Sequence, residues 1–133
     1  MTNCIVCQKS IKSHRIFCSR SCQAKDRQNR LIDDWLTGKI SGIKKGGRII
    51  NAVRTYLLNE TNNSCSKCGW NKINPYMNKV PLEINHIDGN SENNVKENLE
   101  VLCPNCHSLT DSWKALNKGK GNKERLRYSG LIK

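Results

Sequence analysis

Eight cysteines constrain this chain more than any other feature. They are set out as Cys4-x2-Cys7 with Cys18-x3-Cys22 and, after a long gap, Cys65-x2-Cys68 with Cys103-x2-Cys106. An even count in a short chain means disulfides in an oxidising compartment or thiolate ligands in a reducing one. The spacing favours ligands, because a tight turn between close cysteines can aim both sulfurs at one tetrahedral ion about 2.3 Å away. The stretch from Met1 to His14 contains no apolar run of the kind that directs secretion, and no later stretch approaches a membrane span. A cytoplasmic chain with two structural zinc ions, one on each four-cysteine set, is therefore expected.

Such staples answer a need. Of 133 residues, 36% are hydrophobic, 26% are charged and one is Phe, so the core will be thin. The formal charge is +12, and it falls only to +8 if eight thiolates bind two divalent ions. That surplus points to a polyanion. Nucleic acid fits better than a membrane surface, because no long basic amphipathic helix with a bulky apolar face is present. Solubility alone is the competing explanation.

Between the cysteine sets, Leu31, Ile32, Trp35 and Leu36 mark one apolar helical face that stops near Gly38, which reads as packing. Ile49, Ile50, Val53, Tyr56 and Leu57 mark a second stripe, with Arg48, Asn51 and Arg54 facing away. Lys39 to Gly47 reads as a mobile connection whose lysines could touch phosphate or simply be solvated. From Val80 to Ile87 the residues alternate as in a half-buried strand, and Leu99 to Leu102 give a second strand entering the last cysteine pair. Pro104 suits the first turn of a helix running through Trp113 to Leu116. The fold class is thus α+β, with residues 1–24 as an N-terminal zinc knuckle, 25–61 as a helical linker region, 62–117 as the main domain and 118–133 as a basic tail.

Three histidines occur in the chain, and His86 and His107 flank this strand-loop-strand-helix unit with Asn98 between them. The run Leu82-Glu83-Ile84-Asn85-His86-Ile87-Asp88-Gly89-Asn90, followed by Glu97-Asn98-Leu99-Glu100-Val101-Leu102-Cys103-Pro104-Asn105-Cys106-His107, resembles the HNH (ββα-metal) endonuclease family. The arrangement is similar to small, free-standing phage HNH proteins with an N-terminal zinc module, and the host cytoplasm is the expected place of action if the chain is phage-encoded. The resemblance implies a β-hairpin packed on a helix, a catalytic divalent metal between them, magnesium or manganese, and a structural zinc nearby.

Phosphodiester hydrolysis needs an activated water and stabilisation of charge on phosphorus and on the leaving oxygen. His86 is the candidate general base, and by resemblance Asn98 would hold its ring through a hydrogen bond. His107 is the expected ligand of the catalytic metal, with a place in the zinc set as the alternative. Asn85 stands where many relatives carry Asp or His as the second ligand; an amide oxygen binds a hard cation more weakly than a carboxylate. Glu83 could supply the missing charge directly or through water. Asp88, before Gly89, reads as a turn former, as do Asn90, Asn93 and Asn94. His14, between the first cysteine pairs, is expected at the surface. DNA contacts are expected from Lys114, Lys118, Lys120, Lys123, Arg125 and Arg127, which can neutralise phosphates without reading bases. The expected function is metal-dependent DNA cleavage; a non-catalytic zinc-dependent nucleic-acid-binding protein is the alternative.

Overall fold

The computed structural model describes residues 1–117, so Lys118, Lys120, Lys123, Arg125 and Arg127 lie outside the described residues. The chain is mixed α and β, and its described strands form three two-stranded antiparallel sheets. The first pairs β1 (Thr2–Asn3) with β2 (Ser10–Ile11) around Cys4 and Cys7. Helix α1 (Arg20–Leu36) starts at Ser19, whose hydroxyl accepts the Cys22 N–H at 3.2 Å, and stops at Thr37 before Gly38 with φ 78°. Its terminus agrees with the apolar stripe. Its start lies well before that stripe, set by the Ser19 cap and not by apolar periodicity.

The stretch read as a mobile connection is instead largely a hairpin of β3 (Ile43–Lys44) and β4 (Arg48–Ile49), with Gly46 and Gly47 at positive φ in its turn. Helix α2 (Asn51–Glu60) follows and buries Val53 and Leu57. Arg54 corrects the expected pattern, because it is half-buried and its guanidinium donates to the Leu82 carbonyl at 2.9 Å.

Strands β5 (Glu83–His86) and β6 (Leu99–Leu102) pair Glu83 with Leu102, Ile84 with Val101, Asn85 with Glu100 and His86 with Leu99. Helix α3 (Pro104–Ser108) packs on both strands, while α2 reaches β6 as well. This double cover explains why Leu102 is buried along with Leu99 and Val101, although strand alternation points it the other way. The helix predicted through Leu116 ends at Ser108. Thr110 turns its hydroxyl onto the His107 carbonyl at 2.8 Å, a local bond that competes with helix continuation, and only a short 3-10 turn, Lys114–Asn117, follows.

One core joins these pieces. Trp35, Val53 and Leu57 from the helices pack with Cys65, Leu82, Leu99, Val101, Leu102 and Cys103. Each fully buried aliphatic side chain contributes about 1.5–3 kcal/mol. The helices read as a linker therefore share the core of the β5–β6 unit, and the expected boundary at residue 24 falls inside α1.

Candidate functional site

The two cysteine sets repeat one local design. In the first, Gln8 N–H donates to the Cys4 carbonyl and Cys4 N–H to the Lys9 carbonyl; in the second, Gly69 N–H donates to Cys65 and Cys65 N–H to Trp70. The residue after each second cysteine takes positive φ, 62° at Gln8 and 75° at Gly69, which turns the chain tightly under the sulfurs. The other two sulfurs of each set sit at a helix start. Cys18 and Cys22 flank the α1 cap, and Cys103 caps α3, its sulfur accepting the Cys106 N–H at 3.4 Å.

Within each set the sulfurs all lie within 4.8 Å of one another. Neighbours are 3.5 Å (Cys7 to Cys18), 3.4 Å (Cys18 to Cys22) and 3.7 Å (Cys68 to Cys103) apart. A disulfide would need about 2.0 Å. Tetrahedral ligation with 2.3 Å bonds needs about 3.8 Å, which these separations approach. Electrostatics agree with that donor set. The backbone N–H of Cys7, with others, brings the Cys4 thiol down to about 6. Burial pushes Cys65 up, but the N–H groups of Cys103, Cys68 and Lys67 prevail and hold it at about 6. Cys22 and Cys106 are pushed up to about 12, chiefly by the sulfurs of Cys18 and Cys68. Crowded sulfurs thus share protons that a thiophilic divalent ion can replace, and both sets could hold zinc. His14 is exposed and belongs to neither set.

His86 ends β5 and lies in the wall of a cavity of about 800 Å³. Its Nε2 is 2.8 Å from Asn94 Oδ1. Asn94 is buried, and its own Nδ2 donates to the Ser91 carbonyl at 2.9 Å, so the amide oxygen must face the ring. Nε2 therefore carries the hydrogen, and in the neutral ring Nδ1 is the nitrogen with the lone pair. This corrects the expected role of Asn98. The Asn98 side chain makes no bond to the imidazole; it accepts from the Asp88 N–H and donates to Asp88 Oδ1 and to the Asn93 carbonyl, each within 3.0 Å. It ties the loop, and Asn94 holds the ring. Asp88 is the loop cap anticipated, its carboxyl held below the usual carboxylate range chiefly by the Asn93 amide, then by the Asn90 N–H and the Asn98 amide.

Two helices brace this loop from outside. Trp35 Nε1 donates to the Asn94 carbonyl at 2.6 Å. Lys96 reaches Tyr56 Oη at 3.1 Å and Glu60 at 3.2 Å, which keeps its ammonium charged to unusually high pH, and Tyr56 meets Trp35 edge-on. Reading the Trp35 stripe as packing alone missed this. The available signal was that a buried indole needs an acceptor.

Glu83, Asn85 and Glu100 occupy the alternate positions of the hairpin, beside α3, and Glu83 shares the cavity wall with His86. His107 Nδ1 is paired with Glu83, and its ring stands edge-on to Trp113. With the Glu83 carboxylate on Nδ1, Nε2 is the ring nitrogen left open to another partner. Asn85 is buried and its Nδ2 donates to Glu100 Oε1 at 2.8 Å, which leaves Oδ1 as the amide's electron-pair atom open to another partner. Glu83 is thus committed to His107, and Glu100, unassigned from sequence, orients Asn85. Lys114 is exposed, with its ammonium over the Trp113 ring.

With this geometry in hand, likeness to known proteins is specific. Residues 65–111 match the family model for HNH endonuclease. Over this segment the chain is similar to HNH endonucleases. A curated relative, "H-N-H endonuclease F-TflIV" of Escherichia phage T5, is 39% identical over 71 residues, which cover 51% of this chain. The chain spans only 30% of the length of that relative. No solved structure matches the chain. The HNH match contains His86, Asn98, His107 and the second cysteine set; Cys4, Cys7, Cys18, Cys22 and Trp35 lie before it. No helix among the described residues is long and apolar enough to cross a membrane.

Proposed function

We propose that this chain hydrolyses DNA phosphodiester bonds in a reducing cytoplasm. His86 acts as general base, Asn85 and His107 hold one magnesium or manganese ion, and the two cysteine sets hold structural zinc. The observation that carries this reading is the bond between His86 Nε2 and Asn94 Oδ1 in the wall of a basic cavity. It commits Nε2 to Asn94 and so points the proton-accepting role of a base to Nδ1.

The donor set supports a hard cation. Asn85 Oδ1 and His107 Nε2 are one oxygen and one imidazole nitrogen, too few to enclose an ion but suited to one that keeps its own waters. Bound there, a divalent ion would offset charge on the phosphorane and on the departing 3′ oxygen. His86 Nδ1 takes one proton from a water as its oxygen bonds to phosphorus, the bond from phosphorus to the 3′ oxygen breaks, and that oxygen takes a proton from a solvent water. The ends expected are 5′-phosphate and 3′-hydroxyl. Asn94 keeps the tautomer, and Glu83 and Glu100 keep the two ligands oriented.

The test is incubation with supercoiled plasmid, with and without magnesium or manganese. Metal-dependent nicked or linear product is expected, and the product form tells single-strand from double-strand cutting. Binding without cleavage in either metal would select the non-catalytic nucleic-acid-binding protein instead.

A further inference from the structure

The cavity that holds His86 has strongly one-sided charge. Its wall includes Lys44, Arg48, Arg54 and Lys79, against a single acid, Glu83, which is already paired with His107. Arg54 is spent on the Leu82 carbonyl. Lys44, Arg48 and Lys79 are exposed and make no ion pair or side-chain hydrogen bond among the described residues. Moreover, Lys44 and Arg48 are directly paired across the β3–β4 hairpin. Like charges in that position destabilise a two-stranded sheet, and this sheet has only two residue pairs to resist them. An anion bound between them removes the repulsion.

We propose that the β3–β4 hairpin and the segment around Lys79 form the two walls of a track for the sugar-phosphate backbone of the strand to be cut, leading to His86. Lys44 and Arg48 grip phosphates from one wall and Lys79 from the other. This inference deepens the nuclease reading and rests on it for the identity of the strand. It moves the main DNA contact from the basic tail to a hairpin outside the HNH match, which covers residues 65–111. Beside lining residue Met77, Tyr76 is 96% exposed. A free aromatic face next to a basic wall suits a partner with bases to stack and argues for nucleic acid over an acidic peptide.

The decisive experiment measures binding of a short labelled duplex without added magnesium or manganese, so that no strand is cut, across a range of salt concentrations. Each phosphate neutralised contributes about 0.9 to the slope of log affinity against log salt. The triple variant Lys44→Gln, Arg48→Gln, Lys79→Gln should flatten that slope by about 2 to 3. A second variant, Lys44→Arg with Lys79→Arg, should keep it, and melting temperature and zinc content check that both fold. The control Lys9→Gln, Lys12→Gln, Lys25→Gln removes the same charge elsewhere and should leave the slope nearly unchanged. A wild-type slope in the groove variant, or an equal loss in the control, overturns the track. Failure of the nuclease reading looks different: no plasmid is cut by the wild type in any metal, whatever the slopes are.

Discussion

At the scale of single residues, a side-chain amide decides which nitrogen of His86 accepts a proton, and that amide is Asn94. Asn94→Ala frees the imidazole to adopt either tautomer, so turnover at saturating DNA should fall by about tenfold or more while DNA affinity holds. Single-turnover rates and anisotropy titrations on the same protein check both halves. Asn85→Asp tests the ligand assignment. A carboxylate there exchanges the hydrogen bond to Glu100 for repulsion between two acids, and it also places full charge on the proposed ligand atom. Lower melting temperature without manganese and a larger rise on adding it are expected. An equal manganese-induced rise in wild type and variant would show that residue 85 does not touch the ion.

At the scale of elements, α1 belongs to the site because Trp35 ties it to the Asn94 backbone. Trp35→Phe keeps most of the ring and removes the donor, and an unpaired buried carbonyl costs about 1–3 kcal/mol. The expected result is a lower melting temperature and slower cleavage at unchanged zinc content. Gly42 guards the same contact. It has φ 77°, and a Cβ there would stand 2.8 Å from Trp35 Cδ1. Gly42→Ala should thus reproduce the Trp35→Phe phenotype, with a thermal melt and a cleavage time course as the readouts. The apolar stripe revealed where α1 and α2 pack, and the alternation around Ile84 revealed β5. Trp35 was visible as a core residue, but its acceptor lies 59 positions away, a separation that local periodicity does not encode. The role of Asn94 was hidden for a related reason. The loop holds several asparagines that are alike as turn formers, and only folding decides that Asn98 binds Asp88 while Asn94 meets the ring.

At the scale of the whole molecule, a metal on the second cysteine set would be coupled to the core, since Cys65 and Cys103 belong both to that set and to the buried core. Elemental analysis after exhaustive dialysis should find two zinc ions per chain, and a strong chelator should unfold the β5–β6 unit. One ion would remove the N-terminal set from the scaffold; none would reject the scaffold itself. Both cysteine sets were legible from spacing, because a knuckle is local. The Lys44, Arg48 and Lys79 wall was not, since its members come together only when the hairpin folds over the segment before β5. The central claim, that His86 moves the proton in DNA cleavage, is tested most directly by the rate of plasmid cutting by His86→Ala at saturating magnesium or manganese. A loss of about 10² to 10⁴ in rate, with zinc content, folding and DNA affinity intact and no rescue by added metal, is the predicted result. Cleavage at near wild-type rate, with contaminating nuclease excluded, would contradict it.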